Sequence, residues 1–194
     1  MVNFFDSRKS GVQITAPAMR DELGLSLLDI THYHTVGLCT LIEKKILPPA
    51  FALARIGYES MIRGFWFLNC ASDNEIDLFL KNDKILNEEK KKIDFKDLVK
   101  AVEDDWGKAN TITSFQRKSW PTLNSYTHNG KAIILDHWKD RTFEPKFPEE
   151  QIDQIIQLAA RSDCLCFITL LCNSNRSDDE GSEHRFDVLH GQPP

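Results

Sequence analysis

Two long stretches of regularly spaced apolar residues, at 17–46 and 49–71, predict two long helices. Pro48 and Pro49 separate them, because proline lacks the amide hydrogen that the next helical turn requires. The apolar stripe of the first helix comprises Leu23, Leu27, Ile30, His34, Leu38, Leu41 and Lys45. That of the second comprises Phe51, Ala54, Tyr58, Met61, Phe65 and Leu68. Further apolar residues widen the second stripe, so this helix is expected to be buried among several others.

Two shorter helices follow, each preceded by a residue that favours a helix start. Ser72 and Glu75 have the spacing of a capping box, in which each side chain binds the backbone N–H of the other residue. Asp94 is expected to cap a fourth helix that ends at Gly107.

The second half of the chain has a less uniform pattern. Residues 114–126 are mixed, and Pro121 is expected to break any single long helix there. Residues 129–130, Asn-Gly, indicate a turn. A last helix is predicted from Phe147 through 164–171, a segment whose β-branched residues also suit a strand but which continues the helical period.

These elements predict an all-α, single-domain bundle of five to six helices over residues 16–172. Residues 1–15 are expected to form an irregular lead-in, and the polar residues 173–194 a flexible tail. A chain of 194 residues, 41% hydrophobic and 27% charged, suits one ordinary globular domain.

Charge and composition narrow the classes of function. A net charge of −5 argues against binding nucleic acid through bulk electrostatics. No apolar run of about 18 residues is present, and the N-terminus lacks the features of a secretion signal, so a cytoplasmic protein without membrane contact is expected. The five cysteines lie in mainly apolar neighbourhoods and are expected to be buried free thiols. We expect no metal site and no cofactor.

Three charged residues on the second helix form the first candidate site. Arg55, Glu59 and Arg63 are four residues apart and share one face. Since unpaired buried charge is costly, they must pair with one another, meet a partner elsewhere or line a wet cleft. The two interpretations are an Arg–Glu–Arg ladder that fixes helix packing and a pocket whose guanidiniums hold an anion such as phosphate.

The second candidate site comprises Tyr126 and His128, which lie among hydroxyl and amide residues just before the predicted turn. The histidine could act as a general acid or base, because its pKa is near neutrality, or it could donate a hydrogen bond that locks the turn. A joint site requires that the fold bring His128 against Arg55 and Glu59.

Residues 51–60, 63–67 and 125–130 resemble a group of uncharacterised bacterial helical proteins. That group has an Arg-x-x-x-Glu helix followed by a Ser-Tyr-x-His-x-Gly motif, and the resemblance covers roughly residues 16–172. It implies a distant relation to HEPN-type domains, many of which are ribonucleases in toxin–antitoxin and phage-defence systems. The Arg-to-His spacing of those ribonucleases occurs at 185–190, within the predicted tail, and one such match is expected by chance.

No glycine-rich phosphate loop, nucleophile elbow, zinc-protease motif or paired Cys-x-x-Cys is present in the sequence. The leading hypothesis is therefore a non-enzymatic binding or regulatory module of a bacterial defence or toxin–antitoxin system, with a protein partner or a second copy of the chain. The alternatives are a HEPN-like ribonuclease that uses Arg55 or Arg63 with His128, and a sensor of a small anionic ligand such as a nucleotide. RNA or a nucleotide is the partner that these alternatives require.

Overall fold

Seven helices and one short hairpin make up residues 18–107, 110–139 and 141–174, which are the part of the chain that the computed structural model describes. The helices are α1 Met19–Glu43, α2 Leu47–Asn69, α3 Asp73–Asn82, α4 Phe95–Asp105, α5 Thr111–Thr127, α6 Lys131–Leu135 and α7 Glu149–Ser174. The hairpin pairs β1 Trp138–Lys139 with β2 Thr142–Phe143 in antiparallel register. The predicted all-α fold is confirmed. The count exceeds five to six because the five-residue α6 is a separate helix.

The expected lead-in at 1–15 lies outside the described residues. So does the expected tail from 175 onward, with the Arg–His pair at 185–190. The first two residues of that tail, 173 and 174, are helical and complete α7.

Helix α2 is the centre of the bundle, as its wide apolar stripe predicts. All six stripe residues are buried, and Phe67 beside them is fully enclosed. Helices α1, α4, α5 and α7 each pack against α2. Pro48 and Pro49 lie in its first turn, where the missing amide hydrogen costs no helical hydrogen bond.

The apolar stripe predicted for α1 coincides only in part with its buried face, since Leu38 of the stripe is buried. Ile30 is 41% exposed, whereas Thr31, His32 and Thr35 are buried with Leu28. The threonine hydroxyls donate to backbone carbonyl oxygens one turn earlier, at 2.9 Å for Thr31 and 3.1 Å for Thr35. Because their polar groups are satisfied within the helix, they can face the core, and apolarity alone does not identify that face.

The starts predicted for α3 and α4 are confirmed. The Ser72 hydroxyl accepts from the Glu75 amide at 3.3 Å, and a Glu75 carboxylate oxygen accepts from the Ser72 amide at 2.9 Å. Asp94 occupies the N-cap position of α4, although its side chain makes no capping hydrogen bond there. Gly107 ends this segment with a φ of +61°, a backbone conformation that favours glycine.

Helix α5 contradicts the expected break at Pro121, since it is continuous from Thr111 to Thr127 with the proline inside. Pro121 and Arg117, one turn before it, are both exposed, so water can reach the carbonyl group that proline leaves unbonded. The start of the helix is held by the buried carboxylate of Glu103, which accepts the amide hydrogen of Ile112 at 2.6 Å and also bonds the Thr113 hydroxyl.

Helix α7 packs against α1 and α2, and the predicted helix through 164–171 is confirmed. Buried Asp163 lies 3.0 Å from the His32 ring of α1. By length and composition alone, Glu149–Asn173 could cross a membrane, and one side of this helix packs against α1 and α2. The expectation that every cysteine is buried is wrong for Cys164 and Cys172, which are exposed free thiols on this helix.

Candidate functional site

The Arg–Glu–Arg residues of α2 form the ladder that their spacing predicts. Glu59 accepts from Arg55 Nη2 at 2.9 Å and also pairs with Arg63. Arg55 Nε donates to Asn124 Oδ1 of α5 at 3.0 Å, and its guanidinium lies 4.9 Å from the centre of the Trp120 ring. The side chains of Arg55 and Glu59 are only 18% and 15% exposed. The ladder therefore ties α2 to α5, which favours the packing interpretation.

Tyr126 lies in a separate buried group, at the end of α5. Its hydroxyl lies 3.0 Å from Gln151 Oε1 of α7 and 3.3 Å from Asp136 Oδ2. Burial and the neighbouring Asp136 raise the pKa of Tyr126, and burial raises the pKa of Asp136. The tyrosine thus remains protonated and donates its hydrogen to these oxygens, which joins α5 to α7.

His128 is exposed at the end of α5, where its backbone amide donates to the Asn124 carbonyl at 3.0 Å. Within the described ranges, no hydrogen bond or ion pair joins it to Arg55 or Glu59. The five predicted residues therefore form a ladder, a buried tyrosine group and an exposed histidine. They do not form one catalytic cluster.

A cavity of about 560 Å³ lies between α5 and α7, with α2 as its floor. Both helices pack against α2, but their backbones make few contacts with each other. We call this the α5–α7 cavity. Its aliphatic and phenylalanine lining comprises Met61, Ile112, Phe115, Leu123, Ile155, Leu158 and Leu165. A cavity of this size with mainly apolar walls and a few polar groups has the properties of a small-molecule site.

Two polar atoms of this lining have no hydrogen-bond partner among the described residues. They are the Tyr58 hydroxyl and the Trp106 indole N–H, and both are buried. Tyr58 is 3% exposed, and its pKa is raised by burial and by the nearby charge of Glu103, so it remains a donor. Each such group costs about 1–3 kcal/mol when it is left unpaired.

Sequence reasoning placed Tyr58 and Trp106 on apolar helix faces and assigned neither to a site. One signal was available, because a tyrosine or tryptophan on a buried face usually requires a hydrogen-bond partner. The sequence does not show that both residues line the same cavity, since they come from α2 and from the end of α4.

In the part of the chain that the structure describes, no three His, Cys, Asp or Glu side chains are grouped so that they could hold a metal ion.

The family of unknown function DUF6988 matches residues 28–187 of this chain. The match includes α2 with its ladder, the α5–α7 cavity and the Tyr126 group. No curated protein and no solved structure matches the chain. Since the match covers most of the 194 residues, the chain belongs to the DUF6988 family.

Proposed function

We propose that this protein is a non-enzymatic binding module whose α5–α7 cavity takes a small, mainly apolar molecule that carries a hydrogen-bond acceptor. One observation carries the proposal. Tyr58 and Trp106 come from different elements and both line one cavity, and their buried donors Tyr58 Oη and Trp106 Nε1 have no partner among the described residues. An acceptor on a ligand that displaced these side chains slightly would bond the donors and remove the free-energy cost of leaving them unpaired.

The apolar walls would supply most of the affinity, since burying apolar surface contributes roughly 25 cal/mol per Å² before the entropic costs of binding are subtracted. The donors would supply orientation. The Tyr58 ring packs edge-on against the Phe115 ring, with 5.4 Å between the ring centres. This contact holds the Tyr58 hydroxyl in place before a ligand arrives. A preorganised donor of this kind favours specific binding, because less conformational entropy is lost.

The proposed test uses Nile red, a neutral fluorescent molecule with an apolar ring system and one carbonyl acceptor. We expect saturable binding of one molecule per chain, weakened about fivefold by Tyr58→Phe, because a hydrogen bond contributes about 1 kcal/mol. Ser119→Trp places a large ring among the lining residues and should abolish binding. Binding that is not saturable, or that persists in folded Ser119→Trp, would overturn the proposal.

The same tyrosine provides a measurement that needs no ligand. In the ligand-free protein, Tyr58→Phe removes an unpaired hydroxyl and should raise the free energy of unfolding by about 1 kcal/mol. Tyr126→Phe is the matched control, because Tyr126 lines the same cavity with a paired hydroxyl. It should lower the free energy of unfolding by about 1 kcal/mol. Equal losses in both variants would show that the Tyr58 hydroxyl is already paired.

We place this module in a bacterial defence or toxin–antitoxin system, where it would act in the cytoplasm with a protein partner. This part of the proposal rests on the sequence resemblance alone. The distant HEPN relationship and the ribonuclease alternative stay predictions on the same ground. A ribonuclease would require an RNA-cleaving activity that is lost in folded Arg55→Ala and His128→Ala.

A further inference from the structure

Charge is distributed unevenly around the α5–α7 cavity. The protein has 29 acidic and 24 basic residues, yet the cavity lining includes Lys118 and Arg161 and no Asp or Glu among the described residues. Lys118 is on α5 and Arg161 is on α7, so they approach the cavity from its two walls. Two cations and no carboxylate among its lining residues make this part of the cavity locally positive in an acidic protein.

Both cations are available to a ligand. Lys118 and Arg161 are exposed, and neither takes part in an ion pair within residues 18–107, 110–139 and 141–174. By contrast, Arg55 and Arg63 share the single carboxylate of Glu59, so the ladder keeps one uncompensated positive charge. Lys118 and Arg161 together offer an anion two.

The inner part of the cavity, beside Tyr58, disfavours an anion. Buried Glu103 accepts the backbone N–H of Ile112, a residue of the lining, at 2.6 Å, and its charge acts on Tyr58. A second negative charge beside Tyr58 would be repelled, whereas a neutral oxygen would accept the free hydroxyl hydrogen. The exposed cations thus favour a negative group at the outer end of the cavity, and the buried carboxylate disfavours one at the inner end.

We infer that the ligand is an amphipathic monoanion whose negative head group lies between Lys118 and Arg161 and whose apolar body, with any neutral oxygen, points toward Tyr58 and Trp106. This inference rests on the proposed function and names the chemical class of its ligand. Carboxylates with a hydrocarbon or aryl body are the simplest members of that class.

The experiment measures displacement of Nile red by decanoate, decan-1-ol and decylammonium, which share an alkyl chain and differ in head-group charge. All three are used below their micelle-forming concentrations at fixed ionic strength. We expect decanoate to compete best and decylammonium worst. Lys118→Gln and Arg161→Gln should each weaken decanoate about fivefold and leave decan-1-ol unchanged, since an exposed charge contact contributes at most about that factor.

Arg117→Gln is the matched control, because Arg117 is the exposed neighbour of Lys118 on α5 and does not line the cavity. It removes the same charge and should leave decanoate competition unchanged. If Nile red binds and all three amphiphiles compete equally, the proposed function stands and the inference about the anionic head group is overturned. A decanoate advantage that persists in the Lys118→Gln/Arg161→Gln double variant, or that falls equally in Arg117→Gln, would also overturn it. If Nile red itself fails to bind, both proposals fail.

Discussion

The crossing of α1 and α2 depends on two glycines that face each other, and Gly64→Ala tests this dependence. A Cβ atom added at Gly64 would lie 2.7 Å from Leu28 Cδ2 and 3.0 Å from the Gly24 carbonyl oxygen. Contacts this short do not persist, so an atom of the packed interface must move. Leu28 is fully buried, and the oxygen belongs to the backbone of α1, so neither can rotate away freely.

Two opposing terms set the size of the effect. Alanine is favoured over glycine within a helix by about 1 kcal/mol. Adding a methyl group to a filled core costs about 1–3 kcal/mol, and a backbone contact places this site in the upper half of that range. The expected net loss is about 1–2 kcal/mol, which corresponds to a fall in Tm of about 2–8 °C for a domain of this size.

Gly57→Ala is the matched control in the same helix. A Cβ atom there would meet only the His34 Cβ, at 3.4 Å, which is an ordinary van der Waals distance. This variant keeps the gain in helix propensity and should raise the free energy of unfolding by about 0.5–1 kcal/mol. Urea denaturation followed by circular dichroism measures both variants. If Gly64→Ala is as stable as Gly57→Ala, the close approach of α1 and α2 is wrong.

Two further predictions concern carboxylates that hold helices together. Hydrogen bonds from Thr113 and the start of α5 lower the pKa of Glu103 more than burial raises it. The resulting stabilisation should be present above pH ~4.3, the ordinary value, and be lost as the pH falls through the lower pKa of the folded state. Urea midpoints between pH 7 and 3 should therefore fall more for the wild type than for Glu103→Gln, which should already be destabilised by about 2 kcal/mol at pH 7. Glu59→Gln leaves two guanidiniums without their counter-charge and should cost about 1–2 kcal/mol, an effect that salt reduces. Glu89→Gln, which breaks a fully solvated pair, should cost under about 0.5 kcal/mol, and equal losses would contradict the packing role of the ladder.

Local features of the sequence determined most helix positions. The capping box at Ser72 and Glu75 predicted where α3 begins, because both of its hydrogen bonds form within one turn. The stripe of α2 predicted its buried face, since six apolar residues at helical spacing have no other favourable orientation in water. The Arg–Glu–Arg ladder followed from four-residue spacing alone.

Predictions from local sequence failed where a contact with a distant part of the chain outweighed the local preference. Pro121 did not break α5, because Glu103 holds the helix start and packing against α2 and α4 outweighs the local cost of proline. The polar part of the buried face of α1 was not predicted, because His32 is matched by Asp163, which lies 131 residues further along the chain. Periodicity cannot detect such a pair.

The candidate site is the part that only the tertiary structure decided. Tyr58 and Trp106 each look like core residues on their own helices, and only the fold places these two residues with unpaired donors in the lining of one cavity. Lys118 and Arg161 are ordinary surface cations until the fold places both beside the same cavity. The sequence by itself determined most of the helical segments and which of their faces are apolar, because these depend on neighbouring residues. The space left between two helices depends on how all of them pack, and no short stretch of the chain encodes it.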